Sequence, residues 1–225
     1  MTTPFSDIIL HAPAAFDAET LRGAPLSLAI TGGRITAAGS REGIDSLKGP
    51  ATTVIELPEN GLLVPGFHDF HIHLFAGSLT LESVDLHGAR SEEEAAALAA
   101  HFAAAHESDE WIFGFNWYHV SWDRKQLPTR KSLDRLVPDR PVFLFNAEYH
   151  SAWVNGKALK ICGVNRNAPD PPFGRIERDA DGEPTGYLYE TAMGLAGKRA
   201  LDLPEARKEA LLEKFLRKAA RTGVT

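Results

Sequence analysis

Hydrophobic and polar positions in the first sixty residues follow the short alternation that is typical of β-strands. Four apolar segments are separated by polar or glycine-containing turns: residues 7–11, 26–31, 34–38 and 53–57. The pair Gly32–Gly33 predicts a two-residue hairpin, because both central residues of such a turn need a positive φ. Residues 1–63 are therefore predicted to form a small antiparallel β unit, whose edges and one face must be covered by something else.

Three later segments carry the end signals of helices. Ser91 and Glu94 form a capping box at the start of an alanine-rich stretch. Asn155 is placed to cap a short helix, with Gly163 just beyond its end. Pro204 occupies the tolerated first position of a last helix. Each of these signals predicts where a helix begins, and none of them names a function.

Two further segments between these helices have the pattern of strands. Residues 141–147 are almost continuously apolar, which is typical of a strand buried on both faces. Glu148 and His150 follow this strand at its C-terminal end. Residues 174–190 predict a β-hairpin that turns near Gly182.

Composition restricts the class of protein. The chain has 225 residues, a net charge of −6 and no basic run, which argues against nucleic acid or an anionic membrane as the main partner. No apolar run reaches the length of a membrane span, and the first residues lack the features of a secretory signal. Cys162 is the single cysteine, so an intrachain disulfide is excluded and a cytoplasmic location is expected.

The segment Pro-Gly-Phe-His-Asp-Phe-His-Ile-His at residues 65–73 carries the clearest candidate chemistry. In a strand, residues i and i+2 share a face, so His71 and His73 point the same way and can converge on one metal ion. Asp69 lies on that face too. His68 points the other way and is expected to pack or face solvent. The alternative interpretation is a pair of ordinary hydrogen-bonded histidines.

This segment resembles the metal-dependent amidohydrolase superfamily, and the resemblance continues downstream. The further matching segments are residues 114–117, 127–130, 137–142, 150–155 and 174–186. Together they are similar to amidohydrolase family 3 and, within it, to the N-substituted formamide deformylases. His68 and Phe70 depart from the pattern, because the family more often has an aliphatic and a small residue there.

The resemblance implies an α/β fold: an incomplete (β/α)8 barrel of the TIM type preceded by a small β-sandwich unit. Residues 1–63 would form the sandwich, and residues 64–225 the first part of the barrel, with the hairpin 174–190 inserted. Residues 141–147 would be the second barrel strand, and residues 222–225 would lead into the third. A closed barrel takes about 250 residues, so the general base and the remaining ligands are expected beyond Thr225.

The implied activity is hydrolysis of carbon–nitrogen bonds other than peptide bonds. A metal-bound hydroxide would attack the carbonyl of an amide or formamide. His71 and His73 would hold the metal, and Asp69 would orient a ligand from behind. Zinc suits such a donor set best, with iron, cobalt or manganese as alternatives.

The expected partner is a small amide-type substrate. His150 and Glu148 are candidates for contacting it, because barrel strands bind substrates at their C-terminal ends; the alternative is a structural hydrogen bond. Trp117 and Trp122 are candidates for lining an apolar pocket, with simple covering of the barrel rim as the alternative. The identity of the substrate stays open, because one fold serves many reactions.

Two other interpretations remain alongside the enzyme. The chain could be a truncated, non-catalytic remnant, or a small-molecule or metal-binding module on the same scaffold. The 225 residues alone are expected to be inactive, because two histidines are fewer than the three protein ligands of a catalytic zinc site. The apolar strand at 142–145 would also keep an unpaired edge, which a homo-oligomer could cover.

Overall fold

The computed structural model describes residues 5–16, 19–108 and 110–225. The chain divides into two compact units, one of residues 1–69 with 223–225 and the other of residues 70–222. The first four residues of the predicted β unit lie outside the described residues. Within the described ranges, no helix has both the length and the apolar character needed to span a membrane.

The described residues of the first unit form two small sheets and one short helix. Its elements are β1 (Ile8–Ala12), β2 (Ala14–Phe16), β3 (Leu21–Arg22), β4 (Leu26–Thr31), β5 (Arg34–Gly39), α1 (Arg41–Asp45), β6 (Thr53–Glu56) and β7 (Leu62–Leu63). One sheet has the order β5-β4-β1-β6 and the other the order β3-β2-β7. The pairs β1–β6 and β2–β7 are parallel, so the expectation of a wholly antiparallel unit is wrong.

The predicted glycine hairpin is confirmed. Thr31 pairs with Arg34 across the turn, and Gly32 and Gly33 have φ of 58° and 75°. A side chain is strained at either position, which is why glycine stands at both. The small core beside this hairpin is built around Ile9, with Ala29 and Ile44 packed in the same cluster.

The two sequence segments of the first unit, residues 1–69 and 223–225, pair with each other at Phe67. Phe67 and Val224 form a parallel bridge, in which the Phe67 N–H donates to the Gly223 carbonyl at 2.7 Å. The Thr225 N–H in turn donates to the Phe67 carbonyl at 3.0 Å. Residues 223–225 are therefore direct neighbours of the segment that begins the predicted barrel. The expectation that they lead into a third strand, one place removed from the first, is wrong.

The second unit is a mixed sheet with helices around it. Its elements are α2 (Leu74–Thr80), β8 (Val84–Asp85), α3 (Glu92–Ala105), β9 (Ile112–Trp117), a 3-10 turn (His119–Ser121), α4 (Arg130–Leu136), β10 (Val142–Asn146), β11 (Ser151–Val154), α5 (Gly156–Ile161), β12 (Gly174–Arg178), β13 (Pro184–Glu190), α6 (Met193–Ala200) and α7 (Glu205–Arg221). The six strands have the order β12-β13-β11-β10-β9-β8. Strands β8, β9 and β10 are parallel, and the remaining pairs are antiparallel.

Strand β10 is buried as predicted, but it is not a second barrel strand. Its neighbours are β9 on one side and β11 on the other, so neither edge is left for the segment at residues 64–74. The apolar pattern was correctly interpreted as burial on both faces. That burial arises in the middle of any covered sheet, so it does not identify the sheet.

The predicted helix starts are confirmed. Ser91 Oγ accepts a hydrogen bond from the Glu94 N–H at 3.1 Å, and Asn155 Oδ1 accepts one from the Ala158 N–H at 3.0 Å. Helix α7 begins directly after Pro204. The hairpin at 174–190 is also confirmed, and it forms one edge of the six-stranded sheet.

Candidate metal site and polar strand ends

His71 and His73 lie in an irregular segment, not in the strand that the sequence predicted. Regular strand pairing near this segment is limited to β7 and the bridge at Phe67. His73 is the residue directly before the first residue of helix α2. The His73 side chain makes no capping hydrogen bond to the helix. The two imidazoles nevertheless converge: their Nε2 atoms are 3.1 Å apart, and their rings meet edge to face with centroids at 5.0 Å.

The spacing of these two nitrogens fits one zinc ion. With Zn–N bonds of about 2.0–2.1 Å and a tetrahedral angle, two imidazole nitrogens lie about 3.3–3.4 Å apart. The observed 3.1 Å is close to that value. The same spacing also allows one imidazole to donate to the other when one Nε2 carries a proton. Both side chains are exposed, so an ion could reach them from solvent.

Two imidazoles do not make a complete site. Among residues 5–16, 19–108 and 110–225, no group of three or more His, Cys, Asp or Glu side chains is arranged to hold a metal ion. Asp69 and His68 are both exposed and belong to the first unit. The assignment of Asp69 as an orienting residue and of His68 as a non-ligand stays a prediction.

His150 is held in a tight turn between β10 and β11. The Asn146 side chain, at the end of β10, accepts hydrogen bonds from the N–H groups of His150 and Ser151, each at 3.0 Å. The His150 Nδ1 atom lies 3.1 Å from each carboxylate oxygen of Glu190. The Glu190 N–H donates to the His150 carbonyl at 2.9 Å. The last residue of β13 thus fixes both the backbone and the imidazole of His150.

Glu148 belongs to a second polar group in the same unit. The Tyr118 hydroxyl donates to Glu148 Oε1 at 3.4 Å. Burial lowers the pKa of His119, and the negative charge of Glu148 offsets part of that effect. The His119 Nδ1 atom is buried without a hydrogen-bond partner. Burial thus favours the neutral form of the His119 imidazole beside a carboxylate.

Trp117 and Trp122 both lie inside the core of the second unit. The Trp117 indole is fully buried and donates to the Leu144 carbonyl at 3.0 Å, while Trp122 packs 6.0 Å from it, centroid to centroid. Trp153 contacts both rings. Both indoles therefore pack in this core; the lining of an apolar pocket and the covering of a barrel rim both stay predictions.

The structure brings predicted site residues together in three separate polar groups. The first is the pair His71–His73, the second joins His150 with Glu190, and the third joins Glu148 with Tyr118 and His119. That these groups serve one site stays a prediction, and the reason first given for it, a barrel strand at residues 141–147, is removed by the pairing of β10 with β9 and β11. Sequence reasoning missed Glu190, because its partner His150 lies 40 residues away in the chain. Asn146 could have been noticed as the polar residue that ends an apolar strand.

Comparison with known proteins decides the family. The sequence profile of the amidohydrolase family matches residues 55–225, about three quarters of the chain. The chain belongs to the amidohydrolase family. The histidine pair at 71 and 73 lies within the matched region.

The chain is similar to curated proteins with different names. It is 34% identical over 170 residues to the N-substituted formamide deformylase of Arthrobacter pascens, covering 74% of this chain and 31% of that protein. It is 32% identical over 207 residues to the protein LONG AFTER FAR-RED 3 of Arabidopsis thaliana, covering 92% of this chain and 35% of that protein. The chain therefore spans about a third of the length of these curated relatives.

A solved structure is also similar to this chain. An uncharacterised metal-dependent hydrolase from Pyrococcus furiosus superposes with a TM-score of 0.65 at 25% identity, over 96% of this chain and 42% of that one. The mixed α/β architecture of this chain is shared with that metal-dependent hydrolase.

Proposed function

We propose that this chain contributes to an enzyme that hydrolyses amides or formamides, with a divalent metal held in part by His71 and His73. The observation that carries the proposal is the convergence of the two Nε2 atoms to 3.1 Å. The similarity to an N-substituted formamide deformylase supports the choice of substrate class.

The donor set fits zinc best, because neutral imidazoles are its common ligands, although iron, cobalt or manganese are also compatible. When bound, such an ion lowers the pKa of a coordinated water and polarises a carbonyl oxygen. The chain's own residues would then divide the remaining work. His71 and His73 hold the ion, Asp69 orients a ligand, and His150 and Glu148 contact the substrate.

We further infer that the segment around Phe67 and residues 223–225 begin the parallel barrel that the sequence predicts. The parallel bridge between Phe67 and Val224 supports this assignment. The six-stranded sheet of the second unit would then be an insertion between these two strands. The remaining metal ligands and the general base would come from parts of the enzyme other than the described residues.

The test measures metal content and hydrolysis in the longest reading frame that contains this chain. His71→Ala and His73→Ala should each lower metal affinity by at least about tenfold. That is the smallest loss typical of residues that only support a ligand, and a ligand itself should cost at least as much. Both should abolish hydrolysis of N-butylformamide and butyramide. The matched control is His68→Ala, an exposed histidine from the same segment, which should keep its metal.

Two results would refute the proposal. A His68 variant that loses metal as completely as the His73 variant would show that the pair has no special role. Full hydrolysis by a metal-depleted His71 variant would show that these imidazoles do not serve the reaction.

A further inference from the structure

Backbone strain gathers at one end of the hairpin β12–β13. Among the described residues other than glycine, φ is positive at Asn116, Tyr149, Phe173 and Glu190. Three of these lie together: Tyr149 precedes His150, which is bonded to Glu190, and Phe173 precedes Gly174, which pairs with Glu190. Such conformations cost free energy, persist where the surroundings impose them, and concentrate at functional sites.

The surroundings impose this geometry from several sides. Asn146 holds the N–H groups of His150 and Ser151, and Glu190 donates its own N–H to the His150 carbonyl. At Gly174 the chain passes so close to the next turn that an added Cβ would lie 2.4 Å from a backbone nitrogen. The turn is thus fixed by hydrogen bonds and close packing around one pair of side chains.

That pair is open to solvent. The side chains of His150 and Glu190 are 69% and 53% exposed, and an ion pair so exposed adds little to stability. Its effect falls on the imidazole. An ionised carboxylate only accepts hydrogen bonds, so His150 Nδ1 must carry the proton, and the neutral ring then offers Nε2 as an acceptor.

We propose that Glu190 is a positioning residue that fixes the Nδ1–H tautomer of His150, so that His150 Nε2 accepts a hydrogen bond from the amide N–H of the substrate. This rests on the proposed amide hydrolysis and adds a substrate class to it. Primary and secondary amides bind, whereas tertiary amides lack the required donor. Tyr149 and Phe173, 42% and 92% exposed, provide apolar surface for the substituent on nitrogen.

The experiment is an NMR titration of the 225-residue chain carrying ¹⁵N-labelled histidine, at pH 8. His150 is assigned by comparison with His150→Gln, and two-bond nitrogen–proton correlations report its tautomer. The probes are N-butylacetamide, which has an N–H, and N-butyl-N-methylacetamide, which has none. We expect the Nδ1–H tautomer in the free protein and a shift of the Nε2 resonance with the secondary amide alone.

Variants separate positioning from folding. Glu190→Ala should lower the Nδ1–H to Nε2–H ratio by about tenfold, the effect of one hydrogen bond to a charged group, and should abolish the response to the secondary amide. Glu190→Gln keeps the side-chain length and an acceptor oxygen, so it should retain part of both signals. The matched control is Glu177→Gln, on the adjoining strand β12, which pairs with Arg175 and should change neither signal.

Three results would overturn the proposal: a dominant Nε2–H tautomer in the unaltered chain, equal shifts with the two amides, or no shift with the secondary amide. The titration needs neither metal nor turnover. A failure of His71 and His73 to hold metal would therefore defeat the proposed hydrolysis while leaving this result intact.

Discussion

Replacing Asn155 by alanine removes a side chain that joins three elements of the second unit. Asn155 is fully buried. Its Oδ1 accepts hydrogen bonds from the N–H groups of Val142 and Ala158, both at 3.0 Å. Its Nδ2 donates to the carbonyls of Val137 and Arg140, both at 2.8 Å. The start of β10, the first turn of α5 and the segment after α4 thus depend on one amide.

The cost of Asn155→Ala follows from these four bonds. Each buried backbone group left without a partner costs about 1–3 kcal/mol. The four values do not add fully, because water can enter the space left by the side chain and bond some of these groups. Single substitutions also rarely cost more than about 4–5 kcal/mol. We therefore expect Asn155→Ala to lower the free energy of unfolding by about 3–5 kcal/mol.

Urea unfolding followed by far-UV circular dichroism measures this loss. The control is Asn167→Ala, an exposed asparagine in the loop after α5, for which a change within about 0.5 kcal/mol is expected. Asn155→Asp gives a second check. It keeps the acceptor but turns an oxygen toward two carbonyls, so its folded-state pKa should be raised and its deficit should shrink as pH falls from 7 to 5. A loss below about 1 kcal/mol in the alanine variant would refute the reasoning.

Four further outcomes are expected. The zinc-loaded 225-residue chain should hydrolyse N-butylformamide no faster than a metal-free control, because two imidazoles are too few for a catalytic site; a rate equal to that of the longest reading frame would contradict this. Burial lowers the pKa of His119 from its ordinary value of 6.5. The unfolded chain therefore takes up this proton first, so the free energy of unfolding should decrease as pH falls below 6.5. His119→Gln should flatten this decrease, measured as the urea midpoint at each pH. Glu148→Gln should lower the His119 pKa further, as measured by NMR, and an unchanged value would exclude the contact. Gly186→Ala should lower the free energy of unfolding by more than about 2 kcal/mol. Its φ is +97°, and an added Cβ would lie 2.3 Å from a backbone oxygen of β11. Gly182→Ala is the control, because its φ of +81° brings the same backbone strain while the open space around it brings no clash.

Local chemistry could be predicted from the sequence wherever a few adjacent residues decide the outcome. The Gly32–Gly33 turn and the caps at Ser91 and Asn155 are confirmed for the reasons that predicted them. The facing of His71 and His73 is also observed, although the predicted strand is absent. An extended chain brings alternate side chains to one side without regular pairing, so the spacing was informative even where the secondary structure was wrong.

Long-range pairing could not be predicted in the same way. The apolar pattern of residues 141–147 indicated burial on two faces but contained no information on which strands would lie beside β10. The contact between His150 and Glu190 depends on the register of the β11–β13 pair, which places Ser151 opposite Tyr189. A shift of one residue would send the carboxylate to the other face of the sheet. Helices α2 and α6 were missed because their short stretches carry no capping side chain.

The strand order of the second unit has a consequence for how the chain folds. Strands that lie side by side in this sheet are also neighbours in sequence, except that β11 pairs with β13. During synthesis the sheet can therefore assemble as soon as Glu190 has left the ribosome. The bridge from Phe67 to Val224 has the opposite character, since it joins two distant parts of the chain and has to wait for the second to be made. The residues next to the histidine pair are therefore among the last to find their partners.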